Sequence, residues 1–202
     1  MRRTFFVSCF VLVLIGLCAG CDSSPHITPL GPDALILSFG DSLTHGTGAA
    51  KGQSYPEVLG SLLGRKVINA GIPGEVSAAG RSRLPMELKK YNPALVILCH
   101  GGNDFLRRLD QKKTRDNIRA MVEMIRASGA DVVLIGVPKL GWGLNVPSFY
   151  EEIAESNDIP YAKNVLVDLL GESTLKSDTI HPNTRGYHLL AEAVYDLIKK
   201  AQ

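Results

Sequence analysis

Cysteine is scarce in this 202-residue chain, and its few copies are badly placed for cross-linking. Cys9 and Cys18 belong to an N-terminal segment that reads as removable, Cys21 just after it is expected to be blocked by acylation, and only Cys99 remains in the body, so an intramolecular disulfide has no second partner. The fold must rest on its core. No apolar run reaches the length of a bilayer span, since the longest, 5–17, is too short. An excess of one charge is missing too. Without Arg2 and Arg3 the 22 basic residues fall to the number of the acidic ones, 20, all of which lie beyond Cys21. A balanced body gives no electrostatic reason to expect nucleic acid. The chain also lacks a Gly-x-Ser-x-Gly elbow and a zinc-type Cys/His cluster, and Gly46, Gly48 and Gly52 miss the dinucleotide spacing by one residue. No metal or cofactor is expected.

What is present begins with an export address. Arg2 and Arg3 precede the apolar run, and Ala19 and Gly20 precede Cys21, the pattern of a secretory signal over 1–20. The small residues before Cys21 resemble the lipobox of bacterial lipoproteins, with Cys18 standing where that pattern usually has Leu. The resemblance implies lipidation at Cys21 and a body anchored to a bacterial membrane, facing the periplasm or the exterior. The alternative is a plain secretory signal. Asp22 after Cys21 resembles an inner-membrane retention signal of some Gram-negative bacteria. Residues 21–33 hold three prolines and little apolar pattern and read as anchor and tether, with a single domain over 34–202.

Within that domain, apolar runs of strand length at 34–39, 66–70, 94–99 and 131–137, with a weaker fifth at 159–163, alternate with helical patterns. Their near-continuous Val, Ile and Leu content suits strands covered on both faces. Ser54 and Glu57 have capping spacing with Pro56 in the first turn. Thr114 opens a stripe of Ile118, Met121, Val122 and Ile125, and a last amphipathic helix follows Thr184. The pattern predicts an α/β fold, a three-layer α/β/α sandwich around a five-stranded parallel sheet. Ligands of such sheets sit beyond the carboxyl ends of the strands, where Gly40-Asp41-Ser42-Leu43, the 71–74 glycines and Gly101-Gly102-Asn103-Asp104 all fall.

These blocks carry chemistry when joined to Asp178 and His181 near the end of the chain. A serine hydroxyl attacks only when a base takes its proton, and the base works best when a carboxylate fixes its tautomer. Ser42 after strand one is the candidate nucleophile, His181 the base and Asp178, three residues before it, the orienter. An oxyanion needs preorganised donors, which the Asn103 amide and the backbone N–H groups of Ser42 and Gly74 can provide. Gly71 reads as a turn former. His45, His100 and His188 lack an acid at the right spacing, and Asp41 and Asp104 read as braces of their turns.

The four blocks, in order and over the whole body from Ala34, resemble the SGNH or GDSL-type hydrolase superfamily, most closely its bacterial arylesterase, thioesterase and lysophospholipase branch. That resemblance implies a flavodoxin-like fold and metal-free hydrolysis of acyl esters or thioesters through an acyl-enzyme on Ser42. It also implies an oxyanion hole of Ser42, Gly74 and Asn103 and a triad completed by Asp178 and His181. Two other functions remain open: an O-acetyl esterase of cell-envelope carbohydrate, and a catalytically silent lipoprotein that binds lipid or glycan. Residues 139–150, with Trp142 and Leu144, either line an acyl channel or pack as an ordinary connection.

Overall fold

The structure is a computed structural model that describes residues 24–141 and 143–202. The expected signal over 1–20, the lipidation position Cys21 and Trp142 lie outside the described residues. The strands are β1 (Leu35–Gly40), β2 (Lys66–Gly71), β3 (Leu95–Cys99), β4 (Asp131–Ile135), β5 (Lys139–Gly141), β6 (Gly143–Asn145) and β7 (Tyr161–Ala162). Five of them form one sheet in the order β2-β1-β3-β4-β7, every neighbouring pair parallel. Ile36, Leu37 and Phe39 of β1, all of β3, and Val132 to Ile135 of β4 are buried. This is the both-faces coverage that their composition calls for.

Eight α-helices follow among the described residues: α1 (Ser42–His45), α2 (Tyr55–Leu63), α3 (Ser77–Tyr91), α4 (Gly102–Leu106), α5 (Gln111–Ala127), α6 (Phe149–Asn157), α7 (Val165–Gly171) and α8 (Thr184–Ala201). The pair α2 and α8 packs together, as does the pair α3 and α5. Because the chain moves from β1 out to β2 and then back across to β3, right-handed crossovers put the two pairs on opposite faces of the sheet. The order reverses between β1 and β3, which opens a crevice at their carboxyl ends.

Three local readings need correction. The stripe expected from Thr114 belongs to a helix that starts earlier, because Asp110 Oδ1 accepts the N–H groups of Lys112 and Lys113 and caps it. Residues 139–141 and 143–145, expected as parts of a loop, pair as the antiparallel strands β5 and β6, with Leu140 opposite Leu144. The stretch 22–33, expected as a free tether, is docked from Ile27 onward. Ile27 is buried and its N–H donates to Ala201 O (2.9 Å), Thr28 N–H donates to Asp131 Oδ2 (2.7 Å), and Arg65 Nε donates to Gly31 O (2.8 Å). One buried isoleucine and three hydrogen bonds outweigh the proline content.

Close approach at the crevice end is made by two glycines that face each other across the β1–β2 register, Gly40 and Gly71. A Cβ on Gly40 would lie 2.1 Å from Cys99 O, and one on Gly71 would lie 2.1 Å from His45 N, both backbone atoms that cannot swing aside. The role given to Gly71 is thus steric: it lets α1 sit directly on the edge of the sheet. Overpacking costs about 1–3 kcal/mol, and at about 2–4 °C per kcal/mol a Gly71→Ala variant should melt roughly 2–12 °C below the wild type. Differential scanning calorimetry checks this, and an unchanged melting temperature would mean that the α1 turn yields freely.

Candidate active site

Ser42 is the first residue of α1, one position after a buried Asp41 whose Oδ1 accepts the Leu43 N–H (3.0 Å). That cap turns the chain sharply off β1 and places the Ser42 hydroxyl at the crevice. His181 arrives from 139 residues away, with Nε2 at 3.0 Å from Ser42 Oγ. Its Nδ1 lies 2.7 Å from Asp178 Oδ2, while Asp178 Oδ1 accepts the N–H groups of Ile180 and His181, both at 2.8 Å. Burial pushes the Asp178 carboxyl up, but the hydrogen bonds from His181 and from the two backbone N–H groups outweigh it and lower it below its ordinary 3.8. An ionised Asp178 only accepts, so Nδ1 carries the imidazole proton and Nε2 faces Ser42 as an acceptor. The arrangement can take a proton from the serine hydroxyl.

Asn103 follows β3 on α4, and both hydrogens of its Nδ2 are engaged, one by Glu75 O (3.0 Å) and one by Asp41 Oδ2 (3.2 Å). The longer bond is the one an incoming oxyanion can take over. Gly74 sits in a left-handed conformation (φ +78°) in the turn before α3, which glycine alone adopts cheaply. Its N–H and that of Ser42 have no acceptor among the described residues. The three expected donors therefore come from the ends of β1, β2 and β3.

Asp41 caps α1 and also lines the crevice, whereas Asp104 braces its turn without lining it. Its buried carboxylate accepts from Ser77 N (2.7 Å), Ser77 Oγ (2.5 Å) and Thr114 Oγ1 (3.2 Å). Of the remaining histidines, His45 is exposed and His188 pairs with Gln53, which fits the non-catalytic roles expected for them. His100 is fully buried, and its Nε2 meets Glu75 Oε2 at 3.2 Å. Glu75 is also gripped by Arg83, whose Nε and Nη2 donate at 2.9 and 2.8 Å. Burial pushes the Glu75 carboxyl up, yet the His100 and Arg83 hydrogen bonds and the Arg83 charge prevail and bring it down to about 2. Neither Arg83 nor His100 was visible as a site residue in the sequence, because their spacings to Glu75 match no local motif.

The crevice beside Ser42 and His181 is open to solvent and is lined by Leu43, Phe105, Leu106, Val137, Leu140, Leu170 and Ile180 besides the polar groups. Leu140 lines it; Leu144, its cross-strand partner in the hairpin, does not. The expected substrate contact thus moves from Leu144 to Leu140, which the missed hairpin explains. Among the described residues no three His, Cys, Asp or Glu side chains converge as metal ligands.

Comparison with known proteins gives this geometry a context. The model of the GDSL-like lipase/acylhydrolase family matches residues 38–189. The chain is 30% identical over 199 residues to the esterase TesA of Pseudomonas aeruginosa PAO1, covering 91% of this chain and 96% of that one. To thioesterase 1/protease 1/lysophospholipase L1 of Escherichia coli K12 it is 28% identical over 165 residues, covering 78% and 79%. Among solved structures, the psychrotrophic esterase EstA of Pseudoalteromonas, inhibited by monoethylphosphonate, superposes with a TM-score of 0.73 at 28% identity, over 83% of this chain and 98% of that one.

The depressed Glu75 carboxyl makes a pH prediction. With a folded value of about 2 against an ordinary 4.5, its contribution to stability is complete above pH 4.5 and is lost as the pH falls through about 2. Glu75→Gln should therefore flatten the acid limb of the stability curve, read as urea midpoints at stepped pH. Equal slopes for variant and wild type would count against the grip of Arg83 and His100 on this carboxylate.

Proposed function

The chain belongs to the GDSL-like lipase/acylhydrolase family and is a carboxylic ester hydrolase, and we propose that it cleaves acyl esters or thioesters through an acyl-enzyme on Ser42. The observation that carries this reading is the continuous hydrogen-bond chain from Ser42 Oγ through His181 to Asp178. Ser42 Oγ attacks the carbonyl carbon while its proton passes to His181 Nε2, and Asp178 stabilises the imidazolium that results. The new C–O bond leaves negative charge on the carbonyl oxygen, which the N–H groups of Ser42, Gly74 and Asn103 receive. Collapse expels the alcohol or thiol, protonated by His181. Water then enters by the same route, His181 again acting as base, and the acid is released from Ser42.

The acyl chain lies in the apolar crevice against Phe105, Leu140 and Leu170. This lining supports acyl chains longer than acetyl over the carbohydrate O-acetyl alternative. Each methylene buried there contributes ~0.8 kcal/mol, or about fourfold in kcat/KM. A p-nitrophenyl ester series should accordingly rise in kcat/KM from acetate until the crevice is filled, and a fluorophosphonate should label Ser42 and abolish turnover. A maximum at acetate would instead favour the O-acetyl esterase, whereas an active Ser42→Ala variant or an adduct on another residue would remove Ser42 from the mechanism.

The body is carried to a membrane by lipid on Cys21. Support comes from the basic start, the short apolar run and the small residues before that cysteine. Two or three acyl chains, at ~0.8 kcal/mol per buried CH₂, anchor a protein stably. Cys21→Ala should block incorporation of labelled fatty acid, and equal labelling of both forms would reject the anchor.

A further inference from the structure

A carboxamide serves an oxyanion only with its nitrogen forward, because a half-turn about its last torsion presents an oxygen of the wrong polarity to the same place. The two acceptors around Asn103 oppose that half-turn. Flipped, Oδ1 would face the Asp41 carboxylate and the Glu75 carbonyl, two acceptor-to-acceptor contacts where there are now two hydrogen bonds. We propose that Asp41 and Glu75 form an acceptor clamp that fixes the orientation of the Asn103 amide, and that Glu75 is thereby a positioning residue of the oxyanion hole. The inference rests on the reading of Ser42 as nucleophile and Asn103 as oxyanion donor.

The Glu75 carbonyl is held in place by its own side chain. That carboxylate is only 7% exposed although it belongs to a surface turn, and such burial of an acid requires partners. Arg83 supplies two donors from α3 and itself donates to Ala70 O (3.0 Å) at the end of β2, with its guanidinium 4.2 Å above the Phe39 ring. His100 supplies the third donor from the end of β3. The Gly101 N–H donates to His100 Nδ1 (3.1 Å), which leaves Nε2 as the protonated nitrogen that faces Glu75. Gly80, one turn before Arg83, makes room for the ring, since a Cβ there would stand 2.3 Å from Nε2. Glu75 itself does not line the crevice, so its influence on the reaction passes through Asn103.

Two variants test the clamp by different routes. In Asp41→Asn, Oδ1 remains committed to the Leu43 N–H, so the new amide nitrogen is turned donor against donor toward Asn103; in Glu75→Ala the grip on the carbonyl is lost. Each should lower kcat roughly 10- to 10²-fold with KM changed less than about twofold, a part of the 10²–10³ lost with a whole oxyanion donor. In an Asn103→Ala background the same changes should cost less than about threefold more, since a group acting through Asn103 has nothing left to act on. Glu75→Gln, which keeps an acceptor for Arg83, should recover most of the activity lost in Glu75→Ala. Should Glu75→Ala fail to fold, the isosteric Asp41→Asn variant carries the same cycle. Losses that persist undiminished in the Asn103→Ala background overturn the clamp, as does wild-type kcat in both variants while Ser42→Ala is inactive. An active Ser42→Ala variant strikes the underlying reading instead.

Discussion

The buried carboxylate of Asp104 is the joint on which the Asn103 side of the crevice depends. The residue that precedes α3 is Val76, whose side chain offers no acceptor, so the first N–H groups of that helix would be orphaned without help. Asp104 provides it from another element. It takes both the N–H and the hydroxyl of Ser77, and a further bond from Thr114 ties it to α5. A carboxylate buried at a helix start is favourable because charge-assisted bonds and the helix dipole act on it together. Since Asn103 is the adjacent residue and Glu75 lies two before Ser77, one group sets the distance between the turn after β2 and the turn after β3. The spacing of the donor groups is inherited from it.

The sheet was legible in the sequence because burial on both faces forces continuous apolar runs, as in Leu95 to Cys99. Its edges were harder to read. The fifth strand pairs only at Tyr161 and Ala162, too short a stretch to leave a period, and the separate β5–β6 pair is written in Gly, Lys and Asn as much as in Leu. The start of α5 was displaced because Asp110 lies outside the apolar stripe on which the expectation rested. Ile27 shows the same limit from the other side. A lone apolar residue among prolines has no pattern, yet the body has a place for it.

Ser42, Asp178 and His181 were readable because proton transfer restricts the residue types and an Asp three before a His closes a turn by itself. The Arg83–Glu75–His100 group had no such signal. Its bonds cross eight and 25 residues between separate elements, and only folding makes them neighbours. The candidate catalytic residues are thus written locally here, whereas the support of the candidate site is written in the tertiary structure. The exchange of Leu144 for Leu140 has the same origin, since alternation along a hairpin is invisible until the hairpin is known.

The docked segment at Ile27 gives the body a polarity. Thr28 is bonded to Asp131, the first residue of β4, while Ser42, Asn103 and His181 gather beyond the opposite ends of the strands. The docked segment thus meets the sheet at its base, and the crevice opens at its summit. An anchor at Cys21, only six residues from the docking point, would give roughly 20 Å of extended leash. Such an enzyme would stand with its back to the leaflet that holds it and draw its substrates from the space in front.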